Sequence, residues 1–342
     1  MRHDLKILIS LHTDEKATAR LRALCPDGEV RVGPWLNEPG KTMPPELMKG
    51  VEVLLCELPP ANFNDFDALK WIQLESAGYS QVLNLPILQR GIRVTNGLGN
   101  YDIPVAEWNV MMILMCHRQM PDLMANQRAA KWDRAARFQV ELRGSTVGFY
   151  GNGGIARETA RILKAMGLTV WAMTRDGRVK KRELKYCVPG TGDPDGRLPD
   201  RAFGPGQMRE FMGGLDFLVI GMPITPSTTN LIKESELRML KPSAVLINSA
   251  RAGIIEMTAL IRCLREQWIR GAAIDVHYAY PLPADHPLWT IPNLILTPHI
   301  SGACFGTNFL ERAYDIFGQN VERYASGQPL LNELTPAQLR GE

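Results

Sequence analysis

The sequence predicts an α/β protein with a doubly wound parallel sheet, and two observations carry that prediction. Short apolar runs alternate with helical patterns along most of the 342 residues, as is typical of a parallel sheet covered on both faces. The second observation is the turn GNGGIA at 151–156, which follows a β-rich run and precedes the helical segment RETARILKAMG. This order of strand, glycine-rich turn and helix is typical of dinucleotide-binding domains.

The small residues of this turn have separate roles in that interpretation. Gly151 allows a tight exit from the strand, Gly153 lets the backbone approach a pyrophosphate, and Ala156 allows the helix to pack closely on the strand. A glycine-rich turn without a ligand is the alternative. The candidate phosphate-binding residues are Gly151, Asn152, Gly153, Gly154 and Ile155.

Composition excludes several classes of protein. The length corresponds to about two domains, and the net charge of +3 is spread without a long basic block, so we expect no nucleic-acid or membrane partner. We expect a cytoplasmic protein, because no N-terminal signal pattern and no membrane-spanning run is present. The cysteines are widely spaced and predict free thiols and no metal site: Cys25, Cys56, Cys116, Cys187, Cys263 and Cys304.

Strands are predicted at short apolar runs bounded by turn residues. Four precede the glycine-rich turn, at 5–10, 51–56, 71–78 and 92–97. Five follow it, at 169–173, 216–222, 244–250, 271–276 and 294–299. The stretch 176–213, rich in Gly, Pro and charge, interrupts this alternation, and we interpret it as an excursion at the cofactor-side edge.

A long helical pattern begins at Val105 and is apolar on more than one face, with a break expected at Pro121. Its methionines, Met111, Met112 and Met115, suit either core packing or a subunit interface. The pattern alone does not distinguish these two alternatives.

Four segments after the turn resemble the D-2-hydroxyacid dehydrogenase superfamily, which includes phosphoglycerate, glyoxylate/hydroxypyruvate and formate dehydrogenases. The resemblance covers nearly the whole chain. It implies a Rossmann-type cofactor domain at 101–300 and a flavodoxin-like substrate domain at 1–100 plus 301–342. It further implies hydride transfer between NAD(P)(H) and a small 2-keto or D-2-hydroxy acid, in a homodimer formed through the helix after Val105. The segments are GMPITPSTTNLI at 221–232, INSARAGIIEMTAL at 247–260, GAAIDVHYAYPLPADHPLW at 271–289 and PNLILTPHISG at 292–302.

The resemblance also implies roles for the substrate-binding residues. Arg251 is the cation for the substrate, and a guanidinium fork suits a 2-keto carboxylate because it binds two oxygens at once. His299 is the general acid in reduction and the base in oxidation. Backbone N–H groups of the turn containing Ala77 and Gly78 hold the substrate carboxylate. The alternatives are an Arg251 paired with a structural carboxylate and a structural histidine at a strand end.

Further cofactor contacts are implied beyond the turn. Asp275 receives the nicotinamide carboxamide, and burial of this carboxylate without a ligand would be costly. The other implied contacts lie near predicted strand ends: Met222, Pro223, Ala250, Ser301 and Gly302.

One departure from the family concerns Tyr280, five residues after Asp275, where relatives carry a Glu that stabilises the protonated catalytic histidine. A phenol can hydrogen-bond an imidazole but brings no charge to stabilise imidazolium. Proton transfer should therefore be tuned differently or be lost. Formate dehydrogenases also lack this Glu, but they resemble one another in an Asn where this chain has Tyr101, which disfavours formate.

A second departure lies after the strand 169–173, where NAD-specific relatives carry an Asp. Here Thr174 stands at that place, followed by Arg175. The missing carboxylate removes repulsion of a 2′-phosphate, and the guanidinium offers it a charge-assisted bond. NADP(H) is therefore the preferred cofactor, with NAD(H) as the alternative. Two rival functions stay open, formate-type oxidation without proton transfer and a dinucleotide-sensing protein with faded catalysis.

Overall fold

The computed structural model describes residues 2–13, 15–302 and 307–341. The chain forms two compact units. Unit 1 comprises Met1–Tyr101, Glu183–Val188 and Cys304–Glu342, and unit 2 comprises Asp102–Arg182 and Pro189–Ala303. The segment 183–188 therefore belongs to unit 1, although the sequence analysis placed all of 101–300 in one domain. The predicted free thiol at Cys304 lies outside the described residues.

Strands of both units run parallel to their neighbours. Those of unit 1 are β1 (Lys6–Ser10), β2 (Glu29–Val32), β3 (Val53–Cys56), β4 (Trp71–Leu74) and β5 (Arg93–Thr95). Those of unit 2 are β6 (Thr146–Tyr150), β7 (Thr169–Met173), β8 (Arg201–Phe203), β9 (Phe217–Ile220), β10 (Val245–Asn248), β11 (Gly271–Ile274) and β12 (Leu294–Leu296).

Helices connect the strands and end the chain. They are α1 (Glu15–Leu24), α2 (Pro45–Met48), α3 (Asp102–His117), α4 (Met120–Arg128), α5 (Gly154–Ala165), α6 (Met208–Gly214), α7 (Glu234–Leu237), α8 (Met257–Arg265), α9 (Thr307–Ala325) and α10 (Pro336–Leu339). Among the residues described, no helix has the length and apolar character needed to cross a bilayer.

The unit 1 sheet has the strand order β2-β1-β3-β4-β5, which is the flavodoxin-like order. Successive residues of its strands point to opposite faces, so Leu8 packs with Leu54 on one face while Ile7 and Ile9 pack with Trp71 on the other. Both faces are buried, as the continuous apolar runs predicted.

The unit 2 sheet has the order β12-β11-β10-β9-β6-β7-β8. Strand order reverses at β6, which pairs with β7 on one side and β9 on the other. All carboxyl ends lie at one edge, where doubly wound sheets bind their ligands. The predicted α/β, doubly wound parallel architecture is therefore confirmed.

Two strands were not predicted from the sequence, and both lie at sheet edges. β2 reads EVRV and β8 reads RAF, so charged residues hide the apolar pattern that marks interior strands. β8 lies within the stretch 176–213, which is therefore only partly irregular.

The long helical pattern divides into α3 and α4. The break falls at Gln119, which has the left-handed φ of 50°, and Pro121 occupies the first turn of α4, where proline is tolerated. Met112 is buried in the core, whereas Met111 is 46% exposed. α4 buries none of its residues.

Candidate active site

The carboxyl edge of the unit 2 sheet collects the residues singled out from the sequence. Gly151 follows β6, Thr174 follows β7, Met222 follows β9 and Asp275 follows β11. The same edge carries the loops after β10 and β12. Those neighbouring loops and strand ends include Arg175, Pro223, Ala250, Arg251, His299, Ser301 and Gly302.

The three glycines of the candidate phosphate-binding turn meet three different requirements. Gly151 has a φ of 96°, and a Cβ there would lie 2.6 Å from the Gly221 carbonyl oxygen. At Gly154 a Cβ would lie 1.9 Å from Asp102 Oδ2. Gly153 is exposed, and the nearest atom to its Cβ position is 3.8 Å away. The backbone at Gly153 is thus open to a ligand at the N-terminus of α5.

Asn152 and Arg157 complete this turn. Both polar atoms of the Asn152 side chain are buried without a hydrogen-bond partner in the part of the chain described. The Asn152 carbonyl accepts from Arg157 Nε at 3.1 Å. The buried Arg157 guanidinium also donates to the carbonyls of Lys180, at 2.6 Å, and Asp193. It therefore fixes the turn against the segment that follows Thr174.

The end of β7 carries both an exposed cation and an acid. Arg175 is exposed and forms no ion pair with any described residue. Thr174 Oγ1 donates to the Arg178 carbonyl at 3.1 Å and lies 3.4 Å from Asp176 Oδ1. Asp176, which the sequence analysis did not consider, pairs with Lys180, and this ion pair holds the pKa of the carboxyl below its usual range.

A buried amide shapes the loop that carries Arg251. Asn248 Oδ1 accepts from the Ala250 N–H at 3.1 Å, and its Nδ2 donates to the Arg251 carbonyl at 3.1 Å. Arg251 Nη1 donates to the Ala250 carbonyl at 2.7 Å. Within the described ranges Arg251 has no carboxylate partner, so its exposed guanidinium is available to an anion.

A second set of contacts, partly buried and not predicted from the sequence, joins this loop to α3 and α5. Ser249 Oγ donates to Asn109 Oδ1 at 2.8 Å, and Asn109 Nδ2 donates to Thr159 Oγ1 at 3.2 Å. Thr159 in turn donates to the Ile155 carbonyl at 2.8 Å. The signal in the sequence was an asparagine within a mostly apolar helix, since a buried asparagine needs a hydrogen-bond partner.

Asp275 holds the turn that carries His299. Its carboxylate is fully buried and accepts from Thr297 Oγ1 at 2.5 Å, Ile300 N at 2.9 Å and Ser301 N at 2.8 Å. Protein donors therefore compensate the burial, so the argument that this carboxylate needs a ligand does not hold. Its contact with nicotinamide stays a prediction.

His299 lies in the left-handed region, with a φ of 58°. This backbone conformation is uncommon outside glycine and is held here by the Asp275 contacts. Burial lowers the pKa of His299, Asp275 opposes that effect, and the positive charge of Arg251 and the nearby His277 lower it further.

Tyr280 contacts His299 through its ring. The two ring centroids are 5.4 Å apart and the planes are inclined by 49°. The Tyr280 hydroxyl oxygen accepts from the His277 N–H at 3.1 Å. The phenol therefore packs beside the imidazole without a hydrogen bond between them.

The predicted carboxylate-binding turn lies in unit 1, after β4. Ser76 Oγ donates to the Gly78 carbonyl at 2.9 Å, and Asn96 Nδ2 donates to the Ala77 carbonyl at 2.7 Å. No described acceptor takes the N–H groups of Ala77 and Gly78. Tyr101, also in unit 1, donates its hydroxyl hydrogen to Glu75. The sequence did not indicate Glu75 as a site residue.

The chain is similar to known proteins in sequence and in fold. The family model "D-isomer specific 2-hydroxyacid dehydrogenase, NAD binding domain" matches residues 110–301. A glyoxylate reductase from Thermofilum pendens is 30% identical over 264 residues, covering 76% of this chain and 73% of the relative.

Two crystal structures have the same fold. A D-isomer specific 2-hydroxyacid dehydrogenase family protein from Aeromonas salmonicida subsp. salmonicida gives a TM-score of 0.77 at 25% identity, over 97% of this chain and 99% of that one. A D-isomer specific 2-hydroxyacid dehydrogenase from Xanthobacter autotrophicus Py2, in complex with NADPH and MES, gives a TM-score of 0.75 at 25% identity. This match covers 98% of this chain and 99% of that one.

The fold and the site at its carboxyl edge define an NAD(P)-dependent oxidoreductase. The chain belongs to the D-isomer specific 2-hydroxyacid dehydrogenase family. Its reaction is hydride transfer involving 2-hydroxy acids.

We predict that Tyr280→Glu raises the pKa of His299 by about one unit, because an opposite charge within about 4–6 Å favours imidazolium. Tyr280→Phe is the matched control and should leave that pKa within about 0.3 units, because the lost hydroxyl bonds the His277 N–H and not the imidazole. NMR measures the pKa of His299 in both variants, from the histidine ring resonances during a pH titration. Equal shifts in the two variants would contradict the prediction.

Proposed function

We propose that this enzyme reduces a small 2-keto acid to a D-2-hydroxy acid and that NADPH is its preferred reductant. The observation that carries the proposal concerns two residues at one sheet edge. Arg251 has no carboxylate partner in the described chain, and His299 lies on a turn that Asp275 holds. A 2-keto acid needs a fixed cation and a proton donor, and these two side chains supply them.

Each residue has one proposed task. Arg251 binds the substrate carboxylate and carbonyl oxygens, and protonated His299 donates to the alkoxide that develops at the carbonyl. NADPH supplies the hydride when bound. The N–H groups of Ala77 and Gly78, which have no acceptor among the described residues, are proposed to hold the carboxylate. Because His299 must be protonated, reduction should slow as pH rises through its lowered pKa.

Arg251→Gln tests the reaction. We expect kcat/KM for 2-keto acids to fall by at least about tenfold, and up to about a hundredfold, because a charge-assisted bond is lost. The affinity for NADPH should stay unchanged. Initial rates over a panel of 2-keto acids measure this, with Arg262→Gln on α8 as the control for loss of an exposed arginine. If turnover by the variant stays within a few-fold of the wild type, Arg251 is not the residue that binds the substrate carboxylate.

The residues present fit a dinucleotide with an extra phosphate. The open backbone at Gly153 and the unpartnered Asn152 amide suit a pyrophosphate at the start of α5. Arg175 offers a cation for a 2′-phosphate, while the charge of Asp176 is offset by Lys180. The relative from Xanthobacter autotrophicus Py2 binds NADPH. Met222, Pro223, Ala250, Asp275, Ser301 and Gly302 complete the proposed cofactor contacts.

We predict that Arg175→Ala weakens NADPH binding by about ten- to a hundredfold and leaves NADH binding nearly unchanged. Asp176→Asn is the matched variant, and it should leave NADPH binding equal or tighter, because it removes a negative charge. Dissociation constants for both cofactors, from fluorescence titration, measure the effects. Losses of the same size for NADPH and NADH would favour the NAD(H) alternative.

We also propose a homodimer through α3 and α4. Val110, Met111, Leu114, Met115 and Met120 line an apolar groove on this surface. α4 buries none of its residues, although a helix in a globular protein gains its stability from packing. A second copy of the chain would cover both helices. Met112 then belongs to the core and Met111 to the interface.

Met111→Glu should weaken the dimer at least about tenfold, because it places a charge in a desolvated contact. Leu88→Glu, at a similarly exposed leucine of unit 1, is the control and should leave the dimer intact. Sedimentation velocity over a concentration series measures both. A monomeric wild type would refute the proposed dimer.

A cytoplasmic location is also proposed. Cys25, Cys56 and Cys263 are buried free thiols, and burial raises the pKa of each. Buried, protonated thiols are inert and suit a reducing compartment.

A further inference from the structure

Arg182 and Asp102 form an ion pair at the start of α5. Arg182 Nη1 lies 3.5 Å from Asp102 Oδ2, and the two side chains are 15% and 11% exposed. The pair contacts Gly154, the first residue of α5, because a Cβ there would lie 2.5 Å from Arg182 Nη1 and closer still to Asp102 Oδ2. The glycine at position 154 therefore leaves the room that these two charged groups occupy.

The segment that carries Arg182 is tied to the candidate phosphate-binding turn. The Arg182 N–H donates to the Pro194 carbonyl at 2.8 Å. Two residues earlier, the Lys180 carbonyl accepts from Arg157, whose guanidinium also donates to the Asn152 carbonyl of the turn. Contacts within unit 2 thus hold the backbone of Arg182 beside α5, and its guanidinium reaches the first turn of that helix.

A cation at this place is unfavourable unless anions accompany it. The N-terminus of a helix carries a partial positive charge and unpaired N–H groups, so it repels a guanidinium and attracts anions. Asp102 is the one carboxylate that pairs with Arg182 among the described residues. The Arg182 guanidinium makes no side-chain hydrogen bond in that part of the chain, so its N–H donors can bind a second anion.

We propose that Arg182 binds the pyrophosphate of the dinucleotide, together with the open backbone at Gly153. This rests on the proposed function, because it takes the start of α5 as the place of the pyrophosphate. Gly153 directly precedes Gly154, so an anion at its N–H lies next to the residue that Arg182 contacts. NADPH and NADH share the pyrophosphate, whereas the 2′-phosphate assigned to Arg175 occurs in NADPH alone. Arg182 therefore supports the affinity for both cofactors and not the preference between them.

Arg182→Gln tests this role through cofactor binding, without turnover. We expect the dissociation constants of NADPH and of NADH to rise by about ten- to a hundredfold each, because a charge-assisted bond is lost. Fluorescence titration measures both constants. Arg197→Gln is the matched control, because Arg197 is an arginine of the same stretch 176–213 whose side chain is 84% exposed. This control should change neither constant.

Two further variants separate cofactor binding from a structural role of the ion pair. Asp102→Asn removes the carboxylate and keeps the guanidinium, so both cofactors should bind equally well or more tightly. The double variant Asp102→Asn/Arg182→Gln removes both charges at once, so that neither is left without the other. It should bind both cofactors at least about tenfold more weakly than Asp102→Asn does. Thermal unfolding of each variant monitors the fold.

The outcomes are distinguishable. Similar losses for NADPH and NADH in the variants that lack Arg182, with binding retained in Asp102→Asn, support the inference. Equal losses in Asp102→Asn and Arg182→Gln assign the pair a structural role and overturn it, as do unchanged constants. A loss for NADPH alone assigns Arg182 to the 2′-phosphate and overturns it too. These results leave the proposed function standing, whereas a wild type that binds neither cofactor overturns the proposed function and the inference with it.

Discussion

The buried carboxylate of Asp275 is the interaction on which the geometry of the candidate site depends. One side chain at the end of β11 accepts three hydrogen bonds from the Thr297–Ser301 turn after β12. A turn that places His299 at positive φ is unfavourable by itself. Three bonds to a charged acceptor, each worth about 1.5–3 kcal/mol, outweigh that strain of about 1–3 kcal/mol. The backbone of His299 therefore has a defined conformation before any ligand binds.

Arg251 is positioned by different means. Its loop is held through backbone contacts of the Asn248 amide and through the Ser249 contact to Asn109 in α3. Neutral amides can fix a loop without neutralising a nearby cation, so the guanidinium keeps its full attraction for an anion. The same contacts extend to Thr159 in α5. Residues of the proposed dimer helix, the proposed cofactor helix and the proposed substrate loop thus share one buried network.

Sequence patterns contain information on local and periodic structure, and they predicted the local and periodic elements of this fold well. The interior strands and the strand–turn–helix around Gly151 carry such patterns, whereas the edge strands β2 and β8 carry charges that hide them. The contacts of Asp275 and the pairs Tyr101–Glu75 and Ser249–Asn109 join residues 22 to 140 positions apart. No spacing in the sequence encodes them, because the order of strands in the sheet decides which loops meet.

The protonation of His299 sets the expected behaviour of the enzyme with pH. His299 must be protonated for reduction, and its pKa is lowered, so activity is favoured at the acidic end. As pH rises through that lowered pKa, the proton donor is lost, whereas the hydrogen bonds of Asp275 keep the turn that carries His299 in place. The rise in pH therefore affects proton transfer and not the position of the turn.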